Sequence, residues 1–222
     1  MTIQLGQTAP RLQVSEWVQG GPINLEDLLN KIVVVEVFQV NCPGCFIYGL
    51  PEAIDIHRKY STQDVVVLGL ATAFEDYDKN TTENLKMLLS KRETTGETLN
   101  ALRNQGQLVD GNKLRYSIPF PVANDLLIRE QYPLEDDRVM KFIRSNVEDF
   151  DMYHPKDKEQ ITKRVREYLE SKPYTAATFE EYGLKGTPST IYIDRKGNLR
   201  ETNFGSQGMM KYKVEKMLLE RV

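Results

Sequence analysis

The residues of this chain with the clearest capacity for chemistry are its two cysteines. Cys42 and Cys45 are the only cysteines among 222 residues, and Pro43 and Gly44 separate them. Two thiols at this spacing can form a disulfide with each other and exchange it with another disulfide. A carboxylic acid, Glu36, lies six residues before Cys42 within the largely apolar segment IVVVEVFQV. The pattern predicts a redox-active dithiol with an acid close to it.

A predicted strand and a predicted helix position these cysteines. Residues 32 to 40 are mostly β-branched and apolar, which is typical of a central strand covered on both faces. A second such run, residues 64 to 72, follows a segment of helical composition, so the two strands are predicted to be parallel. Cys42 is then expected at a helix N-terminus, where free backbone N–H groups and the helix dipole lower the thiol pKa below its usual ~8.5. Cys42 is the predicted nucleophile and Cys45, one turn further on, the predicted resolving thiol.

The middle of the chain predicts further helices and one more strand. Residues 81 to 107 have a helical pattern interrupted by Gly96. Residues 117 to 125 predict a short strand near a sheet edge, because prolines begin it. The highly charged residues 127 to 175 contain two amphipathic helical segments. They predict a helical insertion within a single domain that covers residues 1 to 222.

The C-terminal part predicts a β-hairpin and a final helix. Residues 187 to 205, TPSTIYIDRKGNLRETNFG, contain two strand-like runs around a Lys-Gly-Asn turn. Ser206 is predicted to cap a last amphipathic helix with Met210 and Val214 on its apolar face.

The composition is that of an ordinary soluble globular protein, with 40% hydrophobic and 27% charged residues and a net charge of −3. This charge provides no basic surface for nucleic acid, and no apolar run approaches the ~20 residues that span a membrane. The N-terminal segment MTIQLGQTAP has no basic region followed by an apolar one and predicts no signal peptide. We therefore expect a cytoplasmic protein. In that compartment structural disulfides are rare, so a close cysteine pair indicates chemistry.

Three segments match motifs of a known family. The opening LGQTAPRL contains Gly-x-x-Ala-Pro, and INLEDLLNKIVVVEVF leads into the strand before the cysteines. GTPSTIYIDRKGNL joins a Thr-Pro pair to the last hairpin. Together with the Cys-Pro-Gly-Cys motif, these segments resemble the thioredoxin-like superfamily, and most closely its TlpA-like and AhpC/TSA-related redoxins. The resemblance covers residues 1 to 72 and 117 to 222.

This resemblance implies an α/β thioredoxin-like fold, with a central mixed sheet flanked by helices, and thiol–disulfide oxidoreductase activity. It implies that Pro188 follows a cis peptide bond and faces the cysteines, and that the backbone of Thr187 docks an extended substrate chain. Pro43, Gly44, Thr187 and Pro188 are the predicted substrate-binding residues. The implied partners are a protein or low-molecular-weight disulfide as substrate and an upstream dithiol as reductant. We expect no cofactor, no nucleic acid and no membrane partner.

Glu36 occupies the place where thioredoxins carry a buried acid behind the active site. A carboxyl group in an apolar strand has a raised pKa and could take the proton of Cys45 as that thiol becomes the attacking thiolate. In the alternative interpretation, Glu36 only faces a cavity, a water molecule or a lysine partner.

The chain departs from the family pattern at three positions near the cysteines. Asn41 replaces the Trp that usually precedes the first cysteine, and the only Trp, Trp17, lies elsewhere. Tyr48 stands where TlpA-like proteins often have Glu. Pro51 comes one residue later than usual, which predicts a bulge or a shifted kink in the helix. These departures bear on the partner and the redox potential and leave the dithiol intact.

Other functions compete with thiol–disulfide exchange as interpretations of this sequence. A tetrahedral zinc site needs four ligands, and only His57 and His154, far apart in sequence, could add to the cysteines. A peroxiredoxin-like thiol peroxidase needs a Thr where this chain has Phe38 and Gln39. A non-catalytic interaction module could hold a partner through residues 127 to 175 and use the dithiol as a redox sensor. The last two alternatives stay open from sequence.

Overall fold

The computed structural model describes residues 4–206 and 208–220, so the first three residues of the segment MTIQLGQTAP lie outside it. The strands are β1 Val14–Gln19, β2 Ile32–Phe38, β3 Val65–Ala71, β4 Leu108–Val109, β5 Lys113–Leu114, β6 Val122–Asp125, β7 Leu127–Arg129, β8 Tyr174–Ala176, β9 Ser189–Ile193 and β10 Leu199–Phe204. The α-helices are α1 Leu50–Tyr60, α2 Thr82–Lys91, α3 Gly96–Asn104, α4 Asp136–Asn146, α5 Pro155–Glu170, α6 Ala177–Glu181 and α7 Met210–Leu219. A π turn, Cys45–Gly49, precedes α1. Within the described ranges, none of the helices has the length and apolar character to cross a membrane.

Six strands form the central sheet, in the order β1–β6–β3–β2–β9–β10. The central strand β2 pairs parallel with β3 and antiparallel with β9, so the sheet is mixed. All seven residues of β2 are buried, as expected for an apolar, β-branched strand covered on both faces. The predicted parallel pair and the predicted mixed α/β fold are confirmed.

Residues of β2 point alternately into two apolar cores. Val33 and Val35 pack in a core with side chains from α6. Val34 and Phe38 pack in the other core, with side chains from α1 and α7. Because successive side chains of a strand point to opposite faces, Glu36 lies on the face of Val34 and Phe38. The sheet therefore directs the acid towards the helix that begins at the cysteines.

The strand predicted over residues 117 to 125 is confirmed in part. Only Val122–Asp125 form β6, and β6 lies between β3 and the edge strand β1, which places it near the sheet edge as predicted. The prolines precede the strand and cost it no ladder hydrogen bond, and the carbonyl of Pro121 accepts from Gly69 N–H of β3. The strand at this edge is β1, which was not predicted because its residues are partly exposed and form no apolar run.

The charged residues 127 to 175 contain α4 and α5, close to the two predicted helical segments. Their apolar side chains form a separate small core, and β7 pairs antiparallel with β8 where the segment leaves and rejoins the rest of the chain. Arg138 of α4 forms ion pairs with Glu130 and with Glu180 of the following α6. We propose that this segment is an insertion in one domain, because its two ends are joined by a strand pair.

The start of α7 differs from the prediction. Ser206 does not cap the helix, which begins at Met210. The carboxylate of Glu52, from α1, accepts the Met210 backbone N–H at 2.7 Å and the Ser206 hydroxyl at 2.9 Å. A carboxylate at a helix N-terminus is stabilised by the free N–H groups and the dipole. The group that caps α7 therefore comes from a distant helix, which no local sequence signal indicates.

Candidate active site

Cys42 and Cys45 form a disulfide at the beginning of a helix, with their Cα atoms 5.4 Å apart. Cys42 directly precedes the first helical residue, Pro43, and its sulfur lies 3.3 Å from the backbone N–H of Cys45. This is the place of an N-cap side chain, which accepts from the third N–H of the helix. Pro43 suits the first helical position because its missing N–H has no partner there. In the reduced protein, a thiolate on Cys42 would be stabilised by the same N–H group.

The two sulfurs differ in access to solvent. Cys42 is half-buried, whereas Cys45 is 0% exposed. Only the first cysteine can therefore meet the disulfide of another molecule, and the second can reach only the sulfur of Cys42. This difference supports the predicted order, in which Cys42 attacks and Cys45 resolves.

The loop before β9 lies directly against the cysteines. The Thr187–Pro188 peptide bond is cis, and the Thr187 carbonyl oxygen lies 3.6 Å from the Cys42 sulfur. Pro188 approaches Gly44, where an added Cβ would lie 3.7 Å from the proline ring. Thr187 is partly exposed beside the disulfide. The structure thus brings together the four residues predicted to bind substrate, although they come from positions more than 140 residues apart along the chain.

Glu36 lies completely buried behind this loop. Burial raises the pKa of its carboxyl group from 4.5 to about 8, the hydrogen bond from Thr190 opposes that rise, and the charge of Glu52 adds to it. The Thr190 hydroxyl donates to Oε2 at 3.0 Å. The other oxygen, Oε1, has no hydrogen-bond partner among the described residues. A buried carboxyl in this state is mostly protonated at neutral pH and can exchange its proton near the pKa of an ordinary thiol.

The helix after Cys45 contains the predicted bulge. Cys45–Gly49 form a π turn in which Leu50 N–H donates to the Cys45 carbonyl, five residues earlier. Pro51 has no N–H, so it cannot donate to Phe46 in the same pattern. Instead the hydroxyl of Tyr116 donates to the Phe46 carbonyl at 2.8 Å. The position of Pro51 indicated the bulge, but nothing in the sequence indicated Tyr116.

Tyr116→Phe is expected to lower the free energy of unfolding by about 1–3 kcal/mol, because the Phe46 carbonyl would lose its donor in a largely buried place. Burial raises the pKa of Tyr116, so the hydroxyl stays a donor over the whole neutral range. Urea unfolding of the oxidised protein measures the effect. Tyr212→Phe, at an exposed tyrosine of α7, is the matched control and should change stability by less than about 0.5 kcal/mol. Equal losses in both variants would contradict this account of the π turn.

Asn41, which stands where a Trp is usual, joins three segments next to Cys42. Its backbone N–H donates to Asn80 Oδ1 at 2.8 Å, and its side-chain Nδ2 donates to Asp76 at 2.8 Å. Its Oδ1 accepts the Glu97 N–H at the start of α3 at 2.7 Å. The first residue of α3 is Gly96, with a φ of +57°, where an added Cβ would overlap with Asn41 Oδ1. These contacts fix the residue before Cys42 and were missed because their partners lie 35 to 56 positions away.

The histidines do not join the cysteines. His57 of α1 packs edge-on against Phe120 and is only partly exposed, and burial lowers its pKa. His154 lies exposed at the start of α5. In residues 4–206 and 208–220, no group of three or more His, Cys, Asp or Glu side chains could hold a metal ion.

Comparison with known proteins agrees with this geometry. No family model matches the chain. Protein FixW of Rhizobium leguminosarum is 34% identical over 77 residues. This match spans only 33% of the chain and 33% of the length of that relative. A thiol-disulfide isomerase from Corynebacterium glutamicum has a similar structure, with a TM-score of 0.58 and 28% identity over 97% of each chain. A thioredoxin-like superfamily protein is similar with a TM-score of 0.58 and 25% identity, over 97% of this chain and 98% of that one.

The mixed sheet, the Cys-x-x-Cys disulfide at a helix N-terminus and the full-length likeness to these two structures show that the chain belongs to the thioredoxin-like superfamily. The fold and the cysteine pair are those on which thiol–disulfide oxidoreductases are built. The resemblance inferred from the sequence motifs is confirmed at this level.

Proposed function

We propose that this protein is a thiol–disulfide oxidoreductase in which Cys42 is the nucleophile and Cys45 the resolving thiol. The observation that carries the proposal is the disulfide at the helix N-terminus, with the accessible sulfur first and the buried sulfur second. In the reduced protein, the Cys42 thiolate attacks one sulfur of a substrate disulfide, whose S–S bond breaks and releases a thiolate. The Cys45 thiolate then attacks the Cys42 sulfur, forms the internal disulfide and releases the second substrate thiol. Two electrons pass from the dithiol to the substrate.

In its carboxylate form, Glu36 serves as the proton acceptor for Cys45 in this proposal. The resolving thiol must lose a proton before it attacks, and it is buried among apolar groups where water cannot take the proton directly. Burial raises the pKa of Glu36 to about 8, so its carboxylate form is a much stronger base than an ordinary carboxylate and is better able to take the proton of a thiol. The same acid can return the proton when the disulfide is reduced again.

The substrate docks against Thr187 and Pro188. Thr187 is partly exposed and its carbonyl oxygen lies next to the Cys42 sulfur, so an extended peptide beside it would present its disulfide to that sulfur. Protein disulfides and small disulfides such as oxidised glutathione both fit this requirement. An upstream dithiol reductant restores the reduced form. We propose a cytoplasmic location, where thiols are kept reduced, and therefore net reduction of substrates.

A turnover assay tests the function. The pre-reduced protein is mixed with a dye-labelled peptide disulfide and, separately, with oxidised glutathione, and the thiol released is followed with time. The expected result is stoichiometric release of substrate thiols with formation of the Cys42–Cys45 disulfide, and multiple turnovers with excess dithiothreitol. Hydrogen peroxide is offered in parallel. Faster oxidation by peroxide than by either disulfide would favour the peroxidase alternative, and no reaction with any of the three would favour the interaction module.

A further inference from the structure

A small cavity connects Glu36 with the side of the molecule where α1 meets α7. It has a volume of about 10 Å³, which is at the lower limit for one water molecule. Two carboxyl groups line it, those of Glu36 and Glu52, together with the side chains of Thr190 and Ser206. A cavity lined by polar groups holds water readily, whereas an apolar cavity of this size stays empty.

Glu36 lines this cavity, and its unpartnered oxygen, Oε1, lies next to another lining residue, Gly49. Oε1 lies beside Gly49, where an added Cβ would overlap with it, so the absence of a side chain at this position leaves the space open. A buried polar oxygen without a partner costs about 1–3 kcal/mol, which a water molecule in the cavity would recover. Pro188 and Thr190 occupy the neighbouring sides of Glu36.

Glu52 lies at the other side of the cavity and is only partly buried. Its position three residues after Gly49 places it one turn further along the same helix. The Met210 N–H and the Ser206 hydroxyl each use one of its oxygens. Each carboxylate oxygen can accept a second hydrogen bond, so the group retains capacity for the water.

We propose that Glu52 is the proton outlet of Glu36, through one water molecule bound in this cavity. The inference rests on the proposed role of Glu36 in the reaction. When Glu36 holds the proton taken from Cys45, it passes that proton to the water, and the water passes one of its own protons to Glu52. Glu52 then releases a proton to solvent, and the water is left unchanged. Glu52 is a positioning and relay residue in this scheme and does not contact the sulfurs.

The other cavity-lining groups in the described part of the chain do not offer such a path. Tyr192 of β9 has a pKa raised by burial and by the nearby carboxylates, so it stays protonated and cannot take a further proton. Asn203 of β10 and Met210 of α7 line the cavity but do not titrate. Among the described residues that line the cavity, Glu52 is the carboxyl group besides Glu36, and it is in reach of solvent.

The test measures how fast Glu36 exchanges its proton in the oxidised protein, which requires no turnover. The carboxyl stretching band of protonated Glu36 is identified by its absence in Glu36→Gln, and its change is followed by infrared spectroscopy after a rapid pH jump across pH 8. Glu52→Gln keeps an oxygen for Met210 N–H and a polar group for Ser206, so it should fold. The expected result is a protonation rate at least about tenfold lower, because the relay loses its acceptor.

Ser206→Ala is the matched control, since it removes one hydrogen bond of Glu52 and leaves the carboxylate in place. Its protonation rate should stay within about twofold of the unaltered protein, and Glu52→Asp should restore part of the rate lost in Glu52→Gln. Equal rates in Glu52→Gln and the unaltered protein would overturn the proposal. Suppose that the disulfide assay fails while Glu52→Gln still lowers the protonation rate of Glu36. In that case the proposed function is wrong and the proton outlet through Glu52 stands.

Discussion

Cys42→Ser is expected to abolish the reduction of peptide disulfides and of oxidised glutathione. The rate of thiol release should fall to the rate measured without protein. A serine hydroxyl does not ionise at neutral pH, and the buried Cys45 cannot meet the substrate in its place, because Cys45 is 0% exposed. In Cys45→Ser, Cys42 is expected to attack the substrate disulfide normally. The reaction then stops at the mixed disulfide, because no second thiol remains to break the bond between Cys42 and the substrate. Mass spectrometry of the protein after mixing with a peptide disulfide measures the trapped adduct.

The two variants test the order of the cysteines as well as the reaction. Both lack the Cys42–Cys45 disulfide, so they should have similar unfolding midpoints when compared with the reduced protein, which excludes a difference in folding. A stable adduct on Cys42 in the Cys45→Ser variant, and none in the Cys42→Ser variant, is the expected pair of results. An adduct on Cys45 in Cys42→Ser at a comparable rate would show that the buried sulfur is accessible and would contradict the assignment of roles.

Glu36→Gln is expected to change how stability depends on pH. The folded pKa of Glu36 is about 8 against 4.5 for the ordinary carboxyl group. Between these two pH values, the folded protein holds one proton more than the unfolded chain. The contribution of Glu36 to the free energy of unfolding is therefore full below pH 4.5 and is lost as pH rises to about 8. The difference between the two pKa values corresponds to about 5 kcal/mol. Gln does not titrate, so the variant should lack this loss.

Denaturant unfolding of the oxidised protein at several pH values between 5 and 9 measures the effect. The slope with pH is the quantity to compare, because a buried amide changes absolute stability for other reasons. Asp125 is also buried and has a raised pKa, but it is present in both proteins. Its effect on the pH dependence of stability therefore cancels when the two slopes are compared. Glu26→Gln is the matched control, since Glu26 lies exposed in a surface pair with Arg11. Equal loss of stability with rising pH in Glu36→Gln and Glu26→Gln would contradict the prediction. It would mean that the folded protein does not disfavour the charged form of Glu36.

Much of the site followed from short sequence patterns. The apolar, β-branched run predicted β2, and Cys42 with Pro43 predicted a helix start, because strand burial and helix capping involve neighbours within a few residues. Pro51 predicted the irregular turn before α1, since a missing N–H has a local effect. The edge strand β1 was missed because its half-exposed residues form no local apolar pattern.

By itself, the sequence determined that this chain carries a dithiol at the start of a helix after a buried strand, in a thioredoxin-like α/β fold. Only the tertiary structure decided which atoms surround that dithiol. Tyr116 meets Phe46 across 70 positions, Thr190 meets Glu36 across 154, and Glu52 meets the N-terminus of α7 across 158. Local periodicity and capping set where β2 and the helix at Cys42 begin. The pKa of a buried acid and its path to solvent depend on side chains that come together only when the whole sheet and its helices pack.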